Sequence, residues 1–574
     1  MDNVINLGAG MGVAGPGRPV KQWGDASDRT KKRKIQLLKE NNNTEALASA
    51  AVSRSKDSPR QKDLGTVLKE TMKNPVKVRN SIDAMDKTPV MMSPEDALAL
   101  KIQCDLSDSQ YQLLRNASLK QNADIFPTLH NILDVKANCY PEHIEITETS
   151  AKCSLQSMLD HTLSRIVKQD EDMMNEVGSG STGTLYLKAG MDGASSQSIY
   201  NQRFEETDLE VGKLNEESLF QTAVVPLKLV LNEKTVWVNS KPNSSHFCRP
   251  LHLQYKKETV EVTKAEEDRI NEEARNLESF QLDMMVNGEE WSAMVKYNID
   301  MTMLDGKAVN ALTDNKSSQS CNVCGSRPSE MNNLKVIREK PVSERTLKLG
   351  LSSLHCWMRC FEYILHLGYK LENQTFQAKS QVEKDSVARR KTEIKKRFRE
   401  ELSLVVDTPK QGFGNTNTGN TARRAFEESA IFADITGVDE GLISRIRNIL
   451  KAVCSGYELD INKFRAYCLE TSEMVVRYTM PPTLHKLLEH GFQVAEVLDL
   501  PIGMYSEEAQ EAQNKEIRNA RLSHTCKVSR KNAMKNQFQY LLIRSDPVIS
   551  STAFKKSKSF AGQPLDAEVL NLLM

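Results

Sequence analysis

Two pairs of residues in this sequence have the types and the spacing of zinc ligands. Cys321 and Cys324 are three apart and are followed by Gly325, an arrangement that presents two thiolates to one tetrahedral Zn²⁺. Alone, such a pair is equally compatible with a redox dithiol or with coincidence. His485 and His490 lie far downstream, five apart and within the usual ligand spacing. Together the four residues predict a Cys2His2 zinc site; the alternative is that both histidines are ordinary core or surface residues.

The histidine pair places a condition on the helix that carries it. Met480-Pro481-Pro482 is a typical helix start, which puts His485 in the first turn. Residues five apart lie ~140° from each other around an ideal helix. We therefore expect the helix to be distorted or to end there, with Gly491 directly after His490 supplying the break.

Carboxylates in the sequence could carry out a second kind of chemistry. Cleavage and transfer of phosphodiesters by two Mg²⁺ ions need a few acids that converge from different elements. Asp192 and Asp305 each stand where an apolar segment ends and a glycine follows. For a single Asp-Gly of this kind the ordinary interpretation is a turn. The C-terminal helical patterns contain so many glutamates that a third acid cannot be chosen from the pattern.

Both aspartates end segments with the character of β-strands, TLYLKAGMD (184–192) and SAMVKYNIDMTMLD (292–305). Between them lie the β-rich runs LFQTAVVPLKLVLN and KTVWVNS and the polar helix ETVEVTKAEEDRINEEARNLESF. Three strands, a helix and a further strand, with an aspartate at the end of the first and fourth strands, are the layout of an RNase H-like α/β core.

Helical patterns flank this predicted core. They occupy residues 90–175, which begin with the start signal MSPED, and nearly everything after 340. Residues 1–60 should be mostly disordered, apart from a helix that begins after an N-cap at Ser27. We expect a flexible basic arm (1–60), a helical dimerisation or DNA-binding region (61–178), the first part of the RNase H-like core (179–315), a zinc-binding helical insertion (316–495), the C-terminal part of the catalytic core (496–550) and a tail (551–574).

The composition excludes several classes of protein. With 574 residues the chain is too long for one core and should form about three to five units. No apolar run reaches the ~20 residues of a membrane span, and the N-terminus lacks the pattern of a signal peptide. Eleven cysteines without regular spacing argue against a disulfide framework and for a reducing compartment. The net charge of +1 gives no global sign of nucleic-acid binding, so the local charge distribution must decide.

Several segments together resemble the Transib transposases and the catalytic subunit of the V(D)J recombinase. VNSKPNSSHFCRPLHLQ (238–254) is similar to a segment shortly after the recombinase's first catalytic aspartate. LDGKAVNAL (304–312), followed by CNVC, is similar to its second-aspartate segment and zinc cysteines. LHKLLEH (484–490) matches its zinc-histidine segment in spacing, and SEEAQEAQNK (506–515) resembles its catalytic-glutamate segment with one extra residue. PIGMYSEEAQEAQNK and LLIRSDPVISS look still closer to the Transib family.

The resemblance implies a role for each acid. It implies that Asp192, Asp305 and Glu511 bind Mg²⁺ (or Mn²⁺) and that the cysteines and histidines described above bind Zn²⁺. Glu507 and Glu508 compete for the third position. Glu511 is preferred because it stands immediately before the Asn-Lys part of the match.

Further residues are implied to contact DNA. Asn514 and Lys515 lie one helical turn beyond the third acid. GNTARR (419–424) resembles a recombinase segment in which a loop and a helix start approach DNA, so Asn420, Arg423 and Arg424 are candidates. The alternative for this segment is an ordinary loop with two surface arginines.

The N-terminal Gly17-Arg18-Pro19 resembles an AT-hook, whose arginine lies in a narrow A·T minor groove. In the recombinase a Gly-Arg-Pro precedes a basic helix, and the same order here implies recognition of transposon terminal repeats. The basic residues concerned are Arg18, Lys21, Arg29, Lys31, Lys32 and Arg33. The same lysines also fit a nuclear localisation signal, and the two interpretations are compatible.

The family resemblance implies a DDE transposase that acts on DNA in the nucleus as a homodimer, away from membranes. Water would nick one strand at the transposon boundary, the freed 3′-hydroxyl of the flank would attack the opposite strand to give a hairpin, and the transposon 3′ ends would join target DNA. Two alternatives stay open. One is a domesticated nuclear DNA-binding protein without transposition activity, and the other is a zinc-dependent transcription regulator in which both aspartates are turn residues.

Overall fold

A computed structural model describes residues 23, 26–57, 61–85, 89–169, 177–195, 197, 216–286, 288–371, 380–410, 414–526, 528–552 and 565–574. Arg18 and Lys21, and with them the predicted AT-hook, lie outside the described residues. The chain divides into two compact units, Met1–Met91 with Ala117–Ile125 and Met92–Asn116 with Phe126–Met574.

The first unit is helical. Its helices are α1 (Asp28–Asn41), α2 (Thr44–Lys56), α3 (Lys62–Lys73) and α4 (Pro75–Met85). The predicted N-cap is confirmed, because the Ser27 side chain accepts a hydrogen bond from the N–H of Thr30. The helix expected after Ser27 is α1, whereas the expectation of disorder is wrong for 44–56, which form α2; α2 packs against α3 and α3 against α4.

A mixed β-sheet forms the centre of the second unit. Its strands are β1 (Ile144–Ile146), β2 (Ser150–Cys153), β3 (Ser181–Ala194), β4 (Leu219–Leu231), β5 (Lys234–Val238), β6 (Arg249–Gln254), β7 (Phe280–Val286) and β8 (Glu289–Leu304). The spatial order is β1-β2-β6-β4-β3-β8-β7, with β5 paired to β4. Only the β3–β8 pair is parallel among the described strands. The predicted mixed α/β character is confirmed.

Strands β3 and β4 lie in the middle of this sheet because their sequences are apolar on both faces. Leu229 and Leu231 of β4 belong to one apolar cluster, whereas Val225 and Leu227 belong to another. The first cluster is completed by helices on one side of the sheet, and the second by residues 500–509, which lead into the helix that carries Glu511.

Helices of the N-terminal half precede, connect or follow the strands. They are α5 (Pro94–Gln103), α6 (Asp108–Lys120), α7 (Leu129–Ala137), α8 (Leu155–Gln169), α9 (Val260–Arg275) and α10 (Gly306–Leu312). Residues 61–178 were expected to be a helical region of their own. Instead β1 and β2 extend the sheet through β6, and α8 contributes Leu159, Leu163 and Ile166 to the sheet's core.

A helical part follows the sheet. It contains α11 (Leu334–Arg338), α12 (Glu344–Lys348), α13 (Ser353–Lys370), α14 (Gln381–Glu401), α15 (Gly419–Glu427), α16 (Ser429–Thr436), α17 (Glu440–Cys454), α18 (Ile461–Val475) and α19 (Pro482–Val497). These helices share an apolar core around Phe361, Phe398 and Phe432. Among the described helices, none has the length and apolarity to cross a membrane.

The chain then returns to the sheet. The last helices are α20 (Glu508–Ser523), α21 (Arg530–Arg544), α22 (Pro547–Ser551) and α23 (Ala567–Leu570). α20 and α21 pack against the sheet, whereas Val569 and Leu572 are buried in the helical core and Leu573 pairs with Leu459. The expected C-terminal tail therefore ends in a segment that packs against the helical part.

Candidate active site and metal centre

Asp192 lies near the end of β3, and Asp305 directly follows β8, the neighbour of β3 in the sheet. β3 and β8 are parallel, and Met191 is paired with Leu304, the residues directly before the two aspartates. Equivalent ends of parallel neighbours meet at the same edge of a sheet. Asp305 also caps α10, because its Oδ1 accepts a hydrogen bond from the N–H of Ala308 at 2.7 Å.

Glu511 adds a third carboxylate from the first turn of α20, where its side chain reaches solvent. Loss of hydration, followed by the charge of Glu511, raises the pKa of Asp192 to about 8. Loss of hydration also raises the pKa of Glu511, and the charge of Asp305 acts on both groups in the same direction. Carboxylates perturb one another in this way only at short range. Met191 pairs with Leu304, and Asn514, one turn beyond Glu511 on α20, donates to Asp192, so the three acids lie in one region of the molecule, which we call the acid cluster.

Glu507 is not free to serve as the third acid. It is buried and accepts hydrogen bonds from the Ser352 hydroxyl, from the N–H of His355 at 3.2 Å and from His355 Nδ1 at 3.0 Å. Burial works against the charged form of both partners, but their contact outweighs it, so the pKa of Glu507 is lowered and that of His355 is raised. The two side chains form an ion pair that fixes the start of α20 to α13.

Glu508 is also engaged, since it forms an ion pair with Arg423 of α15. The Arg423 guanidinium lies over the ring of Trp357, 5.8 Å from its centroid. Arg423, which the sequence assigned to DNA binding, therefore ties α15 to α20. Among the described residues the Glu511 carboxylate has no hydrogen bond or ion pair, which favours it as the third acid.

Asn514 contacts Asp192 directly. Its Nδ2 donates to Asp192 Oδ2 at 2.6 Å, while its Oδ1 accepts from Gln221 Nε2, also at 2.6 Å. Gln221 lies on β4 and is fully buried. Asn514 was predicted to contact DNA, but here it orients the carboxylate of Asp192 and joins α20 to two strands.

A buried lysine holds the segment that leads into α20. Lys188 of β3 is fully buried, and its Nζ donates to the carbonyl of Ser506 at 2.7 Å and to Asn243 Oδ1 at 2.8 Å. Asn243 in turn donates to the carbonyl of Gly503 at 2.9 Å. Burial lowers the pKa of Lys188 to about 7. These contacts fix the position of α20 relative to the strand that carries Asp192.

Glu258 is a fourth acid that the sequence did not indicate. It lies directly beside β3, because a Cβ on Gly193 would stand 2.8 Å from the Cβ of Glu258. Burial raises its pKa, and the charge of Asp305 adds to that effect, although Lys307 Nζ lies 3.0 Å from its Oε2. In the sequence Glu258 is one glutamate in a charged connection, so only the folded chain reveals its proximity to the acid cluster.

The other predicted DNA contacts lie in separate places. Asn420 and Arg424 of α15 and Lys515 of α20 are exposed. Four basic residues lie on α1 of the first unit: Arg29, Lys31, Lys32 and Arg33. Their exposure is compatible with binding DNA, and the assignment stays a prediction.

The four predicted zinc ligands come together in the helical part. One ligand atom from each of Cys321, Cys324, His485 and His490 lies within 4.8 Å of the others, so the cluster could hold a metal ion. Cys324 Sγ lies 3.3 Å from His485 Nε2. Gly325 takes a φ of +67°, a left-handed conformation that a side chain would disfavour, and its N–H donates to the carbonyl of Cys321 at 2.9 Å.

The expected break in the histidine helix is wrong. α19 continues through Gly491 to Val497, and both histidines lie within it. The imidazole rings are nearly perpendicular, at 80°, with centroids 5.2 Å apart. Side chains that lean toward each other across the helix surface therefore bridge the five-residue spacing without a change in the backbone.

The chemistry of the donor set fits zinc. His490 Nδ1 lies 2.8 Å from Gln493 Oε1, which favours a proton on Nδ1 and leaves Nε2 available as a ligand. That Nε2 is buried and has no hydrogen-bond partner among the described residues. A hydrogen bond with Cys321, followed by contacts with the histidines, lowers the pKa of Cys324. Thiolate and neutral imidazole are the donors that structural zinc prefers.

Comparison with known proteins adds little support for a particular fold or function of this chain. No family model matches the chain, and no curated protein matches it. Among solved structures, a Drosophila P element transposase strand transfer complex is similar at a TM-score of 0.30 and 9% identity, covering 81% of this chain and 93% of that one. A likeness at this score establishes neither fold nor function, so the chemistry of the site rests on its own residues.

Proposed function

We propose that this chain is a DNA transposase of the Transib type that cuts and joins DNA with Asp192, Asp305 and Glu511. The observation that carries the proposal is the placement of these acids: Asp192 and Asp305 directly follow the paired residues Met191 and Leu304, and Asn514 on the helix of Glu511 donates to Asp192. Clustered carboxylates repel one another until a cation joins them, and Mg²⁺ prefers oxygen ligands. The chain order of acids, cysteines and histidines, together with the segments that resemble the family, supports this choice.

The sheet supports an RNase H-like assignment of the core. β6, β4 and β3 are antiparallel neighbours, β8 is parallel to β3, and α9 lies between β6 and β8 in the chain. Two of the acids stand at the ends of β3 and β8, and the third stands on a late helix. β1 and β2 lengthen one edge of the sheet and β7 lies at the other.

The residues around the acids prepare them for phosphoryl transfer. Mg²⁺ (or Mn²⁺), when bound by the three acids, activates the attacking oxygen and stabilises the leaving oxygen. Asn514 orients Asp192, and the Glu507–His355 pair positions the helix of Glu511. The contact with Glu507 outweighs burial and raises the pKa of His355, and a protonated His355 would favour the negative oxygens of a phosphodiester.

The proposed reaction proceeds through three displacements at phosphorus. In the first, a water oxygen bonds to phosphorus at the transposon boundary, and the 3′-oxygen of the flanking strand leaves and takes up a proton. In the second, this 3′-hydroxyl attacks the opposite strand, which closes the flank into a hairpin and frees the transposon 3′ end. In the third, the transposon 3′-hydroxyl bonds to phosphorus in target DNA, and the 3′-oxygen of the target strand leaves and takes up a proton. No protein side chain acts as a nucleophile.

Further parts of the proposal concern metal, assembly and location. We assign Zn²⁺ to the cysteine–histidine cluster, terminal inverted repeats to the basic α1 and the arm before it, and the nucleus as the site of action. Because two transposon ends must be handled together, we propose a homodimer with twofold symmetry.

The decisive experiment is a cleavage assay. Purified protein selects a duplex from a randomised pool, and the labelled duplex with flanking DNA is incubated with Mg²⁺. We expect nicks followed by hairpins on a denaturing gel. Asp192→Asn should abolish both, whereas Asp283→Asn, which changes an exposed aspartate on β7, should leave both unchanged. DNA binding without any nick in the wild type would contradict the proposal and favour a DNA-binding regulator.

A further inference from the structure

A cavity of about 660 Å³ opens beside the acid cluster. Asp305 and His355 line one part of it, and Cys321 and Lys486 line another. The cavity thus connects the edge of the sheet with the cysteine–histidine cluster. Its volume lies within the roughly 300–1,000 Å³ typical of sites for small molecules or single groups of a polymer.

The lining of the cavity favours a negatively charged occupant. Four basic side chains contribute to it: Lys307, Lys316, Arg359 and Lys486. Asp305 and Asp314 are the acidic residues in the same lining. The excess of positive charge lies directly next to the acid that, under the proposed function, faces the reacting phosphate.

Lys486 distinguishes this cavity from an ordinary charged cleft. Lys307 is paired with Glu258, and Arg359 is paired with Glu362. In the part of the chain that the structure describes, the Lys486 ammonium has neither a hydrogen bond nor an ion pair, although the residue is partly buried. A partly buried ammonium loses hydration, and a partner of opposite charge would compensate for that loss.

We propose that this cavity binds a DNA phosphodiester close to the scissile one and that Lys486 contacts it. The inference rests on the proposed function, because DNA whose scissile phosphate lies at Asp305 must continue into one of the adjoining spaces. A second phosphate of the same strand can then lie at Lys486, because Asp305 and Lys486 line the same cavity. Lys486 directly follows His485, so the zinc cluster positions the lysine that holds the strand.

The test measures binding without cleavage. The selected duplex is made as a fluorescent series in which one phosphate at a time is replaced by a neutral methylphosphonate, and affinities are measured with Ca²⁺ in place of Mg²⁺. For the wild type we expect one or two adjacent positions at which the replacement weakens binding about tenfold. Lys486→Met should weaken binding of the unmodified duplex by a similar factor, and those positions should then have no further effect.

Lys335→Met is the matched control, since Lys335 is exposed, lies in the same helical part and is outside the cavity. It should reproduce the wild-type pattern. Zinc per chain is measured for each variant. If Lys486→Met loses zinc, Lys316→Met, which changes another basic residue of the cavity, replaces it in the same comparison.

Additive effects of the lysine change and the methylphosphonate at every position would overturn the inference. That outcome is distinct from failure of the proposed function, which shows as the absence of Mg²⁺-dependent nicks and hairpins. If the effects of Lys486→Met and of one methylphosphonate are non-additive but no cleavage occurs, the cavity remains a DNA site and the proposed enzymatic activity is refuted. Cleavage with additive effects would refute the cavity site alone.

Discussion

At the scale of single residues, the acid cluster should destabilise the metal-free protein. The pKa of Asp192 is raised from 3.8 to about 8, so its proton stabilises the fold fully below pH ~4, and this stabilisation is lost as the pH rises through 8. We expect this contribution to lower the melting temperature of metal-free protein between about pH 4 and 8. Asp192→Asn should remove this part of the decline and melt about 2 °C higher at pH 9.

The control for this prediction is Asp283→Asn, which changes an exposed carboxylate outside the cluster and should leave the pH profile unchanged. Addition of Mg²⁺ should raise the melting temperature of the wild type more than that of Asp192→Asn. Equal profiles for wild type and Asp192→Asn would contradict a shared acid cluster.

Substitutions of Glu511 and of Glu508 should affect cleavage to different degrees. Glu511→Gln removes a carboxylate without a partner among the described residues, so we expect cleavage to fall at least about a thousandfold with little change in stability. Glu508→Gln breaks the pair with Arg423 and should reduce cleavage far less. Rates from single-turnover cleavage and melting curves measure both effects. Retained cleavage in Glu511→Gln would show that another residue of α20 is the third acid.

The acids were predictable from the sequence to different degrees. Asp192 and Asp305 end apolar strands, and that local pattern is visible without the fold. Glu511 could be chosen only by resemblance, because its distinguishing property is the engagement of Glu507 and Glu508 by α13 and α15. Glu258 and the cation on His355 depend entirely on tertiary contacts, for which the sequence has no local signal.

At the scale of elements, the cysteine–histidine cluster joins the loop after α10 to α19. Cys321→Ser should remove one zinc per chain. It should also lower the stability of the helical part, because the bound metal connects the loop after α10 to α19. Metal analysis together with a thermal scan measures this. Cys526→Ser, which changes an exposed cysteine, should keep the zinc. Unchanged zinc in Cys321→Ser would refute the ligand set.

Residue spacing in the sequence did not predict the observed side-chain positions on α19 and on β3. The 140° between residues five apart on a helix correctly describes the backbone, but it ignores how far an imidazole reaches. α19 therefore needs no break at Gly491. Lys188 illustrates the opposite case: within TLYLKAGMD it resembles a solvent-facing lysine of an edge strand, yet it is fully buried because Ser506 and Asn243 satisfy its ammonium.

At the scale of the whole molecule, distant parts of the chain complete each core. Burial of Val569 and Leu572 in the helical core contributes roughly 3–6 kcal/mol. Deletion of residues 565–574 should therefore destabilise the helical part, as measured by urea unfolding and by loss of zinc affinity. Leu570→Ala, at a side chain 54% exposed, is the control and should have little effect. Wild-type stability after the deletion would contradict this role.

The overall organisation was predictable where it depends on long periodic segments. The sheet strands with their aspartates and the long helices after 340 follow from local hydrophobic periods. The addition of β1 and β2 to the sheet and the return of 565–574 to the helical core do not, because both depend on surfaces that only the rest of the fold creates. Short strands and short helices carry too few residues to indicate such partners.

The helical part stands between the second and third acids in the chain, and its residues Ser352, His355 and Arg423 hold the start of α20. Under the proposed function, the placement of Glu511 for DNA cleavage depends on these contacts with the helical part. We expect loss of zinc to loosen the helical part and the contacts that hold the start of α20, so that a zinc-free molecule binds DNA without breaking it. The supply of zinc in the cell would then set how many of the bound molecules are able to cut.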